Sequence, residues 1–224
     1  MKSVTLLATL ILGLWGSAQA AVYDTGFLNA GAIPDGNLSG WSDTRAVNGL
    51  SGSISAIQVT LDVAGGYNGD LYAYLSYDGK LVPLLTRVGM DGANTFGSSA
   101  GMTITLSDIY ANIGTALAPS VSGDYAPDGR ALNPLTLLPG GGSSSFASFD
   151  NMNPNGNWTL FFADVSGGGG QSTVMSWSLD IITAVPEPIN VALGVFGGLF
   201  LVGTLCRSER MKRLFGKPAA VEAE

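Results

Sequence analysis

Asp62, Asn68 and Asp70 lie together around one strand-like end, and short oxygen-bearing side chains so placed are the ligands a hard cation such as calcium takes. No D-x-[DN]-x-[DN]-G loop accompanies them. The competing reading is that Asp70, Asp78 and Asp164 cap turns, which a short carboxylate does well. A second chemistry open to an Asp-rich chain is glycoside hydrolysis by paired carboxylates, yet nothing in the spacing selects two that converge. Tyr67, Tyr72, Tyr74, Tyr77 and Trp41 offer aromatic faces that either stack on sugars or fill a core. Tyr72 and Tyr74 alternate with Leu71, Ala73 and Leu75, and either set can be the inward one.

What is missing narrows the field further. The 224 residues contain no histidine and one cysteine. That removes Ser-His-Asp and Cys-His nucleophilic sites, an imidazole base, His-containing zinc sites and any internal disulfide. With 17 acidic against 10 basic side chains and a net charge of −7, the chain has no electrostatic footprint for nucleic acid. It reads as a non-enzyme whose only candidate cofactor is calcium.

A mean hydropathy of +0.31 is high for a water-exposed domain, and the apolar residues concentrate at the two ends. Lys2, an apolar run from Val4 to Trp15, and Ala18-x-Ala20 form the three parts of a secretory signal peptide, residues 1–20, with cleavage expected between Ala20 and Ala21. Residues 189–206 carry no charge, and Arg207, Arg210, Lys212 and Arg213 follow at once. This pattern predicts one transmembrane helix over 189–206 and a basic cytoplasmic tail over 207–224. Before the span, Val185-Pro186-Glu187-Pro188 has two prolines around one carboxylate, which hold the chain extended and accessible to a processing enzyme.

That motif, a glycine-bearing apolar span and an arginine-rich tail resemble, in this order, the PEP-CTERM sorting signal of Gram-negative bacteria. The resemblance covers residues 185–217 and makes Pro186, Glu187 and Pro188 the sorting motif. It implies an exosortase as partner, an inner-membrane-anchored precursor, and delivery to the cell surface or the exopolysaccharide matrix.

Between the ends, residues 21–184 form one exported domain with thirteen aspartates, no glutamate and four basic residues, a net charge of −9. Asp without Glu suits a chain built from turns. Ile57, Val59, Leu61 and Val63 alternate with Gln58, Thr60 and Asp62, the period of a half-buried strand. Leu71 to Tyr77 is a second such run, and Asp78-Gly79 turns it into Leu81 to Leu85, a hairpin signal. Met102, Ile104 and Leu106 mark another strand. Trp158, Leu160 and Phe162 share a face, and so do Met175, Trp177, Leu179 and Ile181. The expected class is all-β, an antiparallel β-sandwich or jelly roll. Residues 116–149 read as loop, and the runs Gly140 to Ser145 and Gly167 to Gly170 read as flexible hairpin connections, the latter joining the last two strands.

The order of the signals in residues 30–182 resembles the P domain (Homo B domain) of kexin-like proprotein convertases. The matching pieces are Ile33-Pro34-Asp35, Ile57-x-Val59-x-Leu61-x-Val63, Tyr67-Asn68-Gly69-Asp70-Leu71, Leu75, Asp78-Gly79, Leu106-x-Asp108, Gly123-x-Tyr125-x-Pro127, Gly156-x-Trp158-x-Leu160 with Asp164, and Trp177-x-Leu179. The glycine run departs from the Asp-Gly pair that the family has before its last strand, and no protease domain precedes the body. Two functions are therefore expected as alternatives. One is a surface or matrix protein whose β domain binds or builds, with exopolysaccharide as partner. The other is an accessory module for a separately encoded secreted protease or hydrolase.

Overall fold

The computed structural model describes residues 21–23, 26–27, 31–89, 96–116, 121–136, 138–184, 194, 196–204 and 207. Residues 19–185 form one compact unit; residues 1–18 and 186–224 form another.

The first unit is built almost entirely from strands. β1 (Ala21–Tyr23), β2 (Gly26–Phe27) and β3 (Gly31–Ile33) pair in succession with one long strand, β13 (Ser172–Ala184). On its other side β13 pairs with β5 (Ser53–Gly65), followed by β8 (Met102–Ser107) and β9 (Gly123–Tyr125), which makes a seven-stranded sheet. All its pairings are antiparallel except β8 with β9. A four-stranded antiparallel sheet has the order β4 (Trp41–Val47), β12 (Gly156–Asp164), β6 (Leu71–Tyr77), β7 (Lys80–Thr86). The expected all-β class holds, with one parallel pairing that the alternation of residues cannot reveal.

The two sheets share one core. Leu71, Ala73, Leu75 and Tyr77 of β6 and Trp158, Leu160 and Phe162 of β12 join Ile57, Val59, Leu61 and Val63 of β5 and Trp177, Leu179 and Ile181 of β13 in a single buried cluster. Burial of each such side chain contributes about 1.5–3 kcal/mol. At its centre the Trp158 indole stacks on Tyr77 at 4.0 Å and 4°, and Phe149 meets it edge-on at 5.2 Å. Both buried indole N–H groups have acceptors: Trp158 Nε1 donates to the Pro154 carbonyl at 3.1 Å and Trp177 Nε1 to the Asp43 carboxylate at 2.9 Å.

The hairpin at Asp78-Gly79 forms as expected. Tyr77 pairs with Lys80, so the loop has two residues, both with positive φ (46° and 75°), as the tight primed turn requires. Three other expectations are corrected. Residues 140–143 belong to a strand, β11 (Pro139–Ser143), which pairs with β10 (Arg130–Leu132); a Cβ on Gly140 would stand 3.3 Å from the Ala131 carbonyl, so glycine permits this close approach. The Gly167–Gly170 run is no hairpin, because β12 and β13 lie in different sheets and the run crosses between them. Met175 leaves the face of Trp177, because Val174 opposes Val63 while Ser176 opposes Asp62. That leaves Met175 as an extra residue in a bulge, 44% exposed, and a bulge shifts the alternation by one.

In the second unit, Gly194, residues 196–204 and Arg207 are helical. Among the described residues no helix is long and apolar enough to cross a membrane. The rest of the expected span, the signal peptide with Ala20, the motif Pro186, Glu187 and Pro188, and the tail apart from Arg207 lie outside the described residues.

Candidate functional site: the outer face of the four-stranded sheet

The alternation that turns Leu71, Ala73, Leu75 and Tyr77 into the core turns Tyr72, Tyr74 and Ser76 outward. On β12 it leaves Asn157, Thr159 and Phe161 on the outer side, and on β4 Ser42, Thr44 and Ala46. Register then sorts these side chains into rows. Ser42, Phe161 and Tyr74 lie directly across from one another, and Thr44, Thr159 and Ser76 form the next row. The Phe161 and Tyr74 rings stack at 4.7 Å and 18°, with Tyr72 tilted beside them at 6.0 Å from Tyr74. Thr44 and Thr159 share a hydroxyl–hydroxyl hydrogen bond of 2.8 Å. Gly40 supports the Phe161 ring: at φ 59° it lies where a Cβ would collide with the Phe162 carbonyl and that ring.

Beside the aromatic row lies a depression of about 290 Å³, lined by Tyr74, Ser76, Asp78, Lys80, Asn157 and Thr159. It has an aromatic wall, two hydroxyls on one row and an amide. Burial, followed by the neighbouring Tyr74 phenol, pushes the Tyr72 phenol above its usual pKa. The Lys80 ammonium is turned aside, donating to the Ser148 carbonyl at 2.6 Å. Such a surface can stack on the C–H face of a sugar ring while its hydroxyls and amide exchange hydrogen bonds with the sugar hydroxyls.

A second depression, of about 550 Å³, is lined by Asp108, Asn112, Asp128 and Ser143 to Ser145 among others. Its polar groups are engaged within the fold. Asp108 accepts from the Phe146 and Ala147 N–H groups, Asp128 accepts from the Arg130 guanidinium, and Asn112 donates to the Pro127 and Asp128 carbonyls. It is therefore the weaker candidate for a ligand.

The proposed calcium ligands have different partners. Asp62 lies on the outer side of β5 and accepts from the Thr103 hydroxyl at 3.3 Å. Asp70 pairs with Arg87 at 3.2 Å; Asn68, fully buried, donates its Nδ2 to the Gly101 carbonyl while its Oδ1 has no hydrogen-bond partner. Among the described residues no group of three or more Asp, Glu, Cys or His stands close enough to hold a metal ion. Asp70 also lies within electrostatic reach of Asp35 and Asp164. Asp164 is fully buried; one oxygen accepts from the Ser166 N–H and the other has no hydrogen-bond partner. Burial raises the Asp164 pKa against the lowering effect of the Ser166 N–H, and the charges of Asp70 and Asp35 add smaller raising effects. A signal for it was present, since Asp164 falls in phase with the inward Trp158, Leu160 and Phe162. Phe161 carried the converse signal, an aromatic ring in the outward phase. Ala21 opens β1, where it pairs with Thr183.

No protein-family model matches the chain, and no curated protein matches it. Among solved structures, the crystal structure of the Aeromonas sobria serine protease and chaperone complex is similar over 81% of this chain and 30% of that chain, at 15% identity and a TM-score of 0.40. The crystal structure of the Aeromonas sobria serine protease is similar over 80% and 30% respectively, at 14% identity and the same TM-score. The chain thus spans under a third of the length of these two.

Proposed function

We propose that this chain is an exported, non-catalytic β domain that binds polysaccharide through the outer face of its four-stranded sheet. The row of Phe161 and Tyr74 beside the row of Thr44, Thr159 and Ser76 carries this reading, because it sets a stacked aromatic pair next to hydroxyls outside the core. Absence of histidine removes an imidazole base or nucleophile partner and supports a binding role over a catalytic one. For delivery, the reading is a signal peptide cleaved between Ala20 and Ala21, a transient inner-membrane anchor over 189–206, and exosortase processing at Pro186-Glu187-Pro188 for the surface or matrix of a Gram-negative bacterium. It rests on the order of those segments in the sequence.

Retention of the purified chain on immobilised polysaccharides tests the binding. Retention that is lost in the double variant Tyr74→Ala, Phe161→Ala is expected; retention unchanged in that variant moves the site elsewhere, and no retention on any polymer ends the reading. The accessory-module alternative rests on the ordered P-domain-like motifs. A secreted protease that co-purifies with the chain and gains stability from it would replace the first reading with this one.

A further inference from the structure

We infer that the ligand of this face is an uncharged polysaccharide, lying across the strands along the aromatic and hydroxyl rows. This rests on the polysaccharide-binding reading above and adds the ligand's charge class. The outward positions of β4, β6 and β12 that build the rows are Ser, Thr, Ala, Asn, Tyr and Phe, without one ionisable acid or base of ordinary pH range. They belong to a domain with thirteen aspartates and only four basic residues. Rows so free of charge in so acidic a domain carry no cation of their own for a uronate or sulfate group. On the rim of the depression the Lys80 ammonium donates to the Ser148 carbonyl, and its charge is set beside the opposite charge of Asp78.

An acidic glycan would meet long-range repulsion from the domain and would desolvate its carboxylate against hydroxyls and rings with no counter-charge. A neutral chain meets neither cost. Its hydroxyls exchange with Thr44, Thr159, Ser76 and Asn157, and its C–H faces lie against the rings. The rows run from strand to strand, so the ligand's long axis is set across the sheet.

Affinity electrophoresis of the full-length chain in gels containing dextran, β-glucan or galactomannan, against gels containing alginate or polygalacturonate, separates the outcomes. The expected result is retardation by at least one neutral polymer, equal at about 20 mM and about 150 mM salt, and none by the acidic polymers. Tyr74→Ala should weaken the retardation about tenfold while leaving the thermal midpoint in place. Retardation by an acidic polymer that Tyr74→Ala removes would overturn the charge class and leave the binding face standing. Retardation by a neutral polymer that neither Tyr74→Ala nor Phe161→Ala alters would overturn the face. A chain that no polymer retards would overturn both.

Discussion

Asp164 is a carboxylate with no access to water, one oxygen without a donor, and two further carboxylates close enough to act on it. Its pKa and that of Asp70 are both raised, chiefly by burial; Arg87 offsets part of the effect at Asp70. A group whose folded pKa lies above its unfolded value adds stability that is complete below the unfolded pKa and disappears as pH rises through the folded one. These two residues should therefore make the domain more stable at about pH 4.5 than at about pH 8, the reverse of a salt-bridged carboxylate. Asp164→Asn keeps the acceptor for the Ser166 N–H and removes the charge. Thermal melts across that range should show a flatter pH dependence for the variant; an unchanged slope would place the dependence elsewhere. The aspartates were legible as turn residues, and Asp35, bound to the Gly168 N–H, is one. That Asp164 and Asp70 would meet was not legible, because they are brought together by the pairing of β12 with β6, strands far apart in sequence.

Elements whose form depends on neighbours in sequence could be read directly, and the Asp78-Gly79 hairpin is the clearest case. A Cβ at Gly79 would touch nothing within 4 Å, so Gly79→Ala isolates the backbone cost of φ 75° and should destabilise by about 1–2 kcal/mol in denaturant titration. Trp158, read as sharing a face with Leu160 and Phe162, turns inward with them and is held between Tyr77 and Phe149. Trp158→Ala should cost about 3–5 kcal/mol, enough to leave a large unfolded fraction in a domain of ordinary stability. Elements that depend on distant partners escaped. Gly140 to Ser143 carries almost no strand propensity and becomes a strand because β10 accepts it at close approach. Met175 keeps perfect alternation with Trp177 in sequence, yet the bulge opposite Val63 and Asp62 turns it out, and an extra residue in one strand is visible only against its partner.

At the scale of the whole chain, the net charge of −7 averages an acidic body and a basic end, and the two have separate meanings. The body's acidity bears on which polymers it can approach; the basic end bears only on the sorting proposed above. Intact-mass measurement of the protein recovered from the cell surface should give a product that begins at Ala21 and lacks residues 189–224. A product that retains them would end the sorting proposal. The last strand of the body is β13, which ends at Ala184 after pairing with β5 along nearly its whole length and with β1, β2 and β3 on the other side. Hydrogen bonds in an antiparallel ladder stand perpendicular to the strands. A pull delivered through residue 185, such as drag on a cell-surface tether, therefore runs along β13 and loads both its ladders together in shear. The same pull applied at the Asp78-Gly79 hairpin would peel β6 and β7 apart bond by bond. Single-molecule stretching should accordingly find the domain mechanically strong when held by its C-terminal end and weak when held by that turn.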